Sequence, residues 1–216
     1  MAGMSESLHL AELLCARLCH DLSGLLGSLL GVLEIAREEQ ADSETLAVAE
    51  TTAVELATRL KLLRAAWSQD SGPLDLATLG TYADSLSGSR HVQLDLAGLE
   101  PAAVFSPSAA RLILNVLLLA AESLPGGGVV ALSGSPAAHI LVTLAGPRAA
   151  WPAGLAAFLA DDAAARAALN DARGLQAPLT ALIARKHGLR LSLLMPTGPA
   201  SDASALSPLL VSFSGR

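Results

Sequence analysis

Residues 14–36, LCARLCHDLSGLLGSLLGVLEIA, decide the fold, because an apolar helical run here is interrupted by Arg17, His20, Asp21 and three glycines. Successive helical residues are about 100° apart around the axis. On that spacing Leu18, Leu22, Leu25, Leu29 and Leu33 gather on one side, flanked by Leu14, Leu26 and Val32. Leu13, Ala16, Arg17, Gly24, Gly27, Gly31, Glu34 and Glu38 gather around His20 on the other. The pattern predicts one amphipathic helix over residues 6–38, its leucine side in a core and His20 on the surface. Each mid-helix glycine costs about 1 kcal/mol relative to alanine. Three on one stripe therefore imply a compensating close approach, either a helix crossing within a dimer, as the small-residue spacing of GSLLG suggests, or a visiting surface.

Outward from this helix, REEQADSET is a polar turn and residues 44–68 form a second helix, with Asp42 or Ser43 available as its cap. Glu44 and Glu50 lie in its first half and Arg59, Lys61 and Arg64 near its end, as the helix dipole favours. An isolated helical hairpin cannot enclose its own apolar faces, so two copies are expected to pair as a four-helix bundle in a homodimer. The break SQDSGP separates a helical hairpin, residues 1–70, from a second unit, residues 74–216. There PLDLATLGTYADSLS reads as a short strand entering a helix, HVQLDLAG as a strand, and RLILNVLLLAAESL as a helix capped by Ser106 or Ser108. VVALSG and HILVTLAG read as a strand hairpin, PAGLAAFLADDAAARAAL and APLTALIARKHG as helices, and RLSLLMP and SPLLVSFSG as closing strands. The fold class is α+β: a dimerising helical hairpin followed by a mixed sheet with helices over one face.

With 216 residues, 52% of them hydrophobic, the chain can fill a core; with 3% aromatic, that core is aliphatic. A net charge of −6 without clustered Lys and Arg excludes nonspecific nucleic-acid binding. Cys15 and Cys19, four apart on one helix, read as small buried apolar groups in a reducing compartment, and no metal site is expected of them. The N-terminus has no basic stretch before an apolar one, and the longest uncharged apolar run, Leu22 to Leu33, is too short to span a bilayer. The expected location is cytoplasmic, away from membrane.

An exposed histidine followed by a carboxylate is a candidate nucleophile toward phosphorus, since an imidazole attacks well when its other nitrogen is held by an acceptor. His20 and Asp21 make that pair.

The block LLCARLCHDLSGLLGSLLGVLEI followed by AVELATRLKLLRAAW resembles the dimeric histidine phosphotransferases of the ChpT type, and also the dimerisation and phosphoacceptor hairpin of sensor histidine kinases. RLILNVLLLAAESLPGGG and GLQAPLTALIARKHGLRLSL are similar to the second domain of that family. The resemblance implies that residues 74–216 are a degenerate relative of the histidine-kinase ATP-binding domain. Asn115 stands where the first nucleotide motif would be, but no Asp-x-Gly-x-Gly follows, and PGGG at 125–128 lacks the Lys-Ser/Thr of a phosphate loop. No nucleotide or other cofactor of its own is expected. The family's Pro five residues after the histidine is Leu25 here, so a less kinked helix is expected.

The function so implied is a phosphorelay intermediate. His20 takes a phosphoryl group from one response-regulator receiver aspartate and returns it to another, linking the chain through receivers to a sensor histidine kinase. Mg²⁺ comes from the receiver. Asp21 orients or polarises His20; Arg17 lies near the phosphoryl oxygens or the partner's acidic rim; Gly24, Gly27 and Ser28 form the docking track. The competing expectations are a non-catalytic dimeric adaptor and a kinase with a divergent nucleotide site.

Overall fold

A computed structural model describes residues 2–38, 43–68, 72–87, 92–195 and 206–213. Helix α1 (Ala2–Glu38) packs against α2 (Ser43–Trp67) as a hairpin. Asp42, one of two caps expected for α2, lies outside the described residues, as do residues 69–71 of the break. The remainder runs β1 (Leu74–Asp75), α3 (Leu76–Thr81), α4 (Ala83–Ser87), β2 (Val92–Leu99), β3 (Val104–Phe105), α5 (Pro107–Glu122), β4 (Gly128–Ser135), β5 (His139–Ala145), α6 (Leu155–Ala160), α7 (Asp162–Ala167), α8 (Gln176–Lys186), β6 (Arg190–Leu193) and β7 (Leu209–Ser212).

Five strands form one mixed sheet in the order β2-β4-β5-β7-β6, with β2 and β4 parallel and the other neighbours antiparallel. Alternation decides which face is covered. Val130 and Leu132, Ile140 and Val142, and Leu209 and Val211 are buried, whereas the residues between them are only half-buried or exposed. A separate two-stranded ribbon pairs β1 with β3, Leu74 opposite Phe105. β3 was not foreseen, because two residues are too few to show a period. The helix expected over PAGLAAFLADDAAARAAL is two helices. Asp161 adopts extended φ and ψ of −129° and 125°, and its carboxylate accepts from the Ala163 and Ala164 amides to start α7 afresh.

Helix α5, capped by Ser106 and almost continuously apolar, is buried along its length between the sheet and the end of the hairpin. Leu62, Leu63 and Ala66 of α2 belong to the same buried cluster as Leu112, Leu117, Val130 and Val211. The hairpin is therefore rooted in the core of the second unit. Its last carbonyls, which a helix end leaves without partners, are taken up by α5. Arg111 Nε donates to Ala66 O at 3.3 Å and Nη2 to Trp67 O at 3.1 Å, and Asn115 Nδ2 donates to Ala66 O at 2.7 Å.

Candidate functional site

Helix α1 divides into three sectors about 120° apart, where the sequence pattern showed two. The inner sector faces α2 and the second unit: Leu10, Leu14, Leu18 and Leu22 pack on the core, and Leu13 is buried in it. Leu13, expected beside His20 on the surface, is thus a correction, because the second unit covers that flank. The next sector carries Leu8, Cys15, Cys19, Leu26, Leu30 and Leu33, all exposed. Cys15 and Cys19, expected buried, and Leu26 and Leu33, expected in a core, are thus exposed in the single chain, where no described residue covers this side. The third sector holds His20, whose side chain is 64% exposed, with Gly24 and Gly27 beyond it. A Cβ added at Gly24, Gly27 or Gly31 would meet no atom within 4 Å, so packing inside the chain does not require these glycines. Ser28, on the outer surface near them, returns its hydroxyl to Gly24 O at 3.1 Å.

Beneath His20 lies a charged network. Nδ1 of the imidazole is 3.4 Å from Asp21 Oδ1. The Asp21 side chain is only 8% exposed; Oδ1 accepts from Arg17 Nε and Oδ2 from Arg59 Nη2, both at 2.9 Å. Arg17 is turned inward, away from the outward position expected for it. Its Nη2 donates to Glu122 Oε1 at the end of α5, and its Nη1 donates to the carbonyls of Ala172 and Arg173 at 3.3 and 3.2 Å. Burial works to lower the pKa of this guanidinium, but Glu122 and Asp21 outweigh it and hold the pKa above its ordinary value. Arg59 Nη1 in turn donates to Ser85 O at 2.8 Å, so Asp21 sits where α1, α2, α4 and α5 converge. The sequence marks Arg59 only as a dipole-matched charge and gives Glu122 no role at the site. A carboxylate on the last residue of a helix, where the dipole disfavours it, was the signal in the sequence.

The residue aligned with a nucleotide motif has other work. Asn115 is fully buried: Nδ2 also donates to Arg111 O at 2.9 Å, and Oδ1 accepts from Gln176 Nε2 at 3.1 Å. Gln176 donates further to Asn115 O and Thr180 Oγ1. Replacing Asn115 by Ala removes its side-chain bonds to Ala66 O, Arg111 O and Gln176 from the buried core and should cost about 2 kcal/mol of unfolding free energy, measured by urea titration. PGGG is a turn: Gly127 N donates to Leu124 O, and Gly128 has φ of 144°, with Ala145 O so close that a side chain could not be added.

Helix α1 runs unbroken through Leu25, where the family's proline was missing. Its N-terminal half is tied to the second unit by His9 Nε2, 3.0 Å from Leu169 O. Among the described residues, the segment Glu6–Arg37 is long and apolar enough to cross a membrane by length and composition alone. No group of three or more His, Cys, Asp and Glu among them could hold a metal ion.

Comparison with known proteins converges on one family. The family described as "Histidine phosphotransferase C-terminal domain" matches residues 76–197. A protein named protein phosphotransferase ChpT, from Brucella abortus (strain 2308), is 28% identical over 193 residues, covering 87% of this chain and 91% of that one. A solved bacterial phosphotransferase superposes with a TM-score of 0.69 at 24% identity, covering 95% of each chain. The cytoplasmic segment of histidine kinase QseC matches more loosely, with a TM-score of 0.37 at 17% identity, over 77% of this chain and 93% of that one.

Proposed function

The chain belongs to the histidine phosphotransferases of the ChpT type, and on that premise we propose that it relays phosphoryl groups between receiver aspartates through His20. The observation that carries this reading is an exposed imidazole whose Nδ1 lies against a pinned carboxylate. Asp21 accepts the Nδ1 proton and so favours the tautomer with its lone pair on Nε2. That lone pair attacks the phosphorus of a receiver's aspartyl phosphate, the bond from phosphorus to the aspartyl oxygen breaks, and the receiver carboxylate leaves. Transfer to a second receiver is the same step reversed. The receiver supplies Mg²⁺ and its acidic pocket, while Gly24, Gly27 and Ser28 let its helix come close. With its fork turned inward, Arg17 serves as the clamp on Asp21 and touches the visiting protein only through the surface it supports.

The exposed apolar sector of α1, continued by Leu46, Val54 and Leu60 of α2, supports a homodimer built as a four-helix bundle. It also explains the apolarity of α1 without a bilayer, which favours a cytoplasmic protein. Because that sector is distinct from the glycine track, the track is left for the receiver.

On this reading residues 1–70 are the dimerisation and phosphoacceptor unit and residues 74–216 an ATPase-like unit without a nucleotide. The engagement of Asn115 in the core supports the latter. Mg²⁺ with ATP at millimolar concentration should leave the melting temperature unchanged, whereas a rise of several degrees would favour a divergent kinase. The central test is incubation of the purified protein with a labelled, phosphorylated receiver: acid-labile, base-stable label on the chain is expected, and no label of that kind refutes the relay.

A further inference from the structure

Glu122, at the far end of the network from His20, belongs to another part of the chain, separated from Arg17 by 105 residues. Two observations single it out. First, it ends α5, a helix whose last turn has no basic residue, so its charge is held against the helix dipole by Arg17. Second, Arg17 divides its donors, with Nε on Asp21, Nη2 on Glu122 and Nη1 on two carbonyls. Asp21 Oδ1 is therefore shared between Arg17 Nε at 2.9 Å and His20 Nδ1 at 3.4 Å.

We propose that Glu122 is a positioning residue for the phosphoacceptor: by holding the Nη2 arm of Arg17 it keeps that fork to a single bond on Asp21, so that Asp21 Oδ1 stays within reach of His20 Nδ1 and sets the imidazole tautomer. Arginine forks prefer to take a carboxylate with two parallel bonds. Without the Glu122 charge, Arg17 Nη2 competes with Arg59 for Asp21 Oδ2, and a carboxylate taken by Arg17 with both bonds turns its Oδ1 away from His20 Nδ1. The ring then loses its reason to keep the proton on Nδ1, and the nucleophilic lone pair on Nε2 is present in a smaller share of molecules. The second unit, which contributes no reacting atom, thus tunes the histidine from a distance. The consequence for transfer rests on the reading that His20 carries the phosphoryl group; the consequence for the tautomer does not.

The test compares Glu122→Gln, which keeps shape and an acceptor but not charge, with Glu122→Asp, which keeps the charge, in the full chain. Nitrogen-15 shifts of the His20 ring report the tautomer, and single-turnover transfer from a receiver charged with acetyl phosphate reports the chemistry. In Glu122→Gln the ring should move toward the Nε2–H form, and the transfer rate constant should fall about 10-fold, the usual size of an outer-shell effect. Receiver affinity should stay within about two-fold, and Glu122→Asp should restore both ring and rate. Should Glu122→Gln fail to fold, Glu122→Ser, which removes the charge with a smaller side chain, should give the same ring shift. Ring shifts that Glu122→Gln leaves unchanged while Asp21→Asn alters them overturn the proposal, as does an equal loss in Glu122→Asp and Glu122→Gln. A wild-type chain that accepts no phosphoryl group defeats the relay instead, and the ring shifts still decide the role of Glu122.

Discussion

A His20→Ala variant takes up no label from a phosphorylated receiver, a loss of at least about 10³-fold, since the nucleophile itself is removed. It nevertheless folds and melts like the parent. The side chain is 64% exposed, and its hydrogen-bonding contact is the 3.4 Å approach to Asp21, which Arg17 and Arg59 hold in place without it. Replacement of such a surface residue changes stability by about 0.5 kcal/mol or less. Receiver binding, measured by titration calorimetry, should also persist, because the glycine track and the helix face are intact. The combination matters. Lost label with retained binding assigns the chemistry to His20; label that survives places the phosphoryl group elsewhere, and unchanged relay flux supports an adaptor.

The double variant Leu26→Asp and Leu30→Asp should be monomeric by light scattering, whereas the proposed bundle makes the parent a dimer. Both leucines are about half exposed in the single chain, at 47% and 54%, on the uncovered sector of α1. Full burial of a leucine contributes about 1.5–3 kcal/mol. About half of each leucine is left for the interface to bury and a two-fold axis counts each substitution twice, so roughly 3–6 kcal/mol disappears, equivalent to about 10²- to 10⁴-fold in the dissociation constant. Four carboxylates facing one another across the seam add to the loss. The monomer should keep its helix content, since the inner sector remains seated on the core. A dimer that survives both substitutions moves the interface to another face.

Most of this architecture was legible in the chain's periodicities. Both long helices, six of the seven strands and Ser106 as the start of α5 follow from apolar spacing and cap chemistry. The two-residue β3 and the restart at Asp161 did not, because the first has no period and the second interrupts an alanine-rich run that is helical on both sides. At the site, rotation about the helix axis put His20 on the surface. It could not say which apolar sector the chain itself covers, since Leu13, Leu18 and Leu26 are equally hydrophobic and differ only in their neighbours. Arg17 is the sharpest case. A long side chain at one angular position can reach outward or fold inward, and the deciding partners, Glu122 and the carbonyls of residues 172 and 173, are more than 100 residues away.

The burial of Leu62, Leu63 and Ala66 against α5 has a consequence for how the relay is controlled. A module that delivers its own phosphate donor to a histidine must swing. Here, swinging would expose two fully buried leucines, at about 1.5–3 kcal/mol each, and break the Asn115 bond to Ala66 O. These contacts hold the helix that carries His20 in one attitude on the second unit. On the proposed relay reading, traffic through it is metered by the supply of charged and empty receivers, and the protein serves as a fixed terminal through which current flows in either direction.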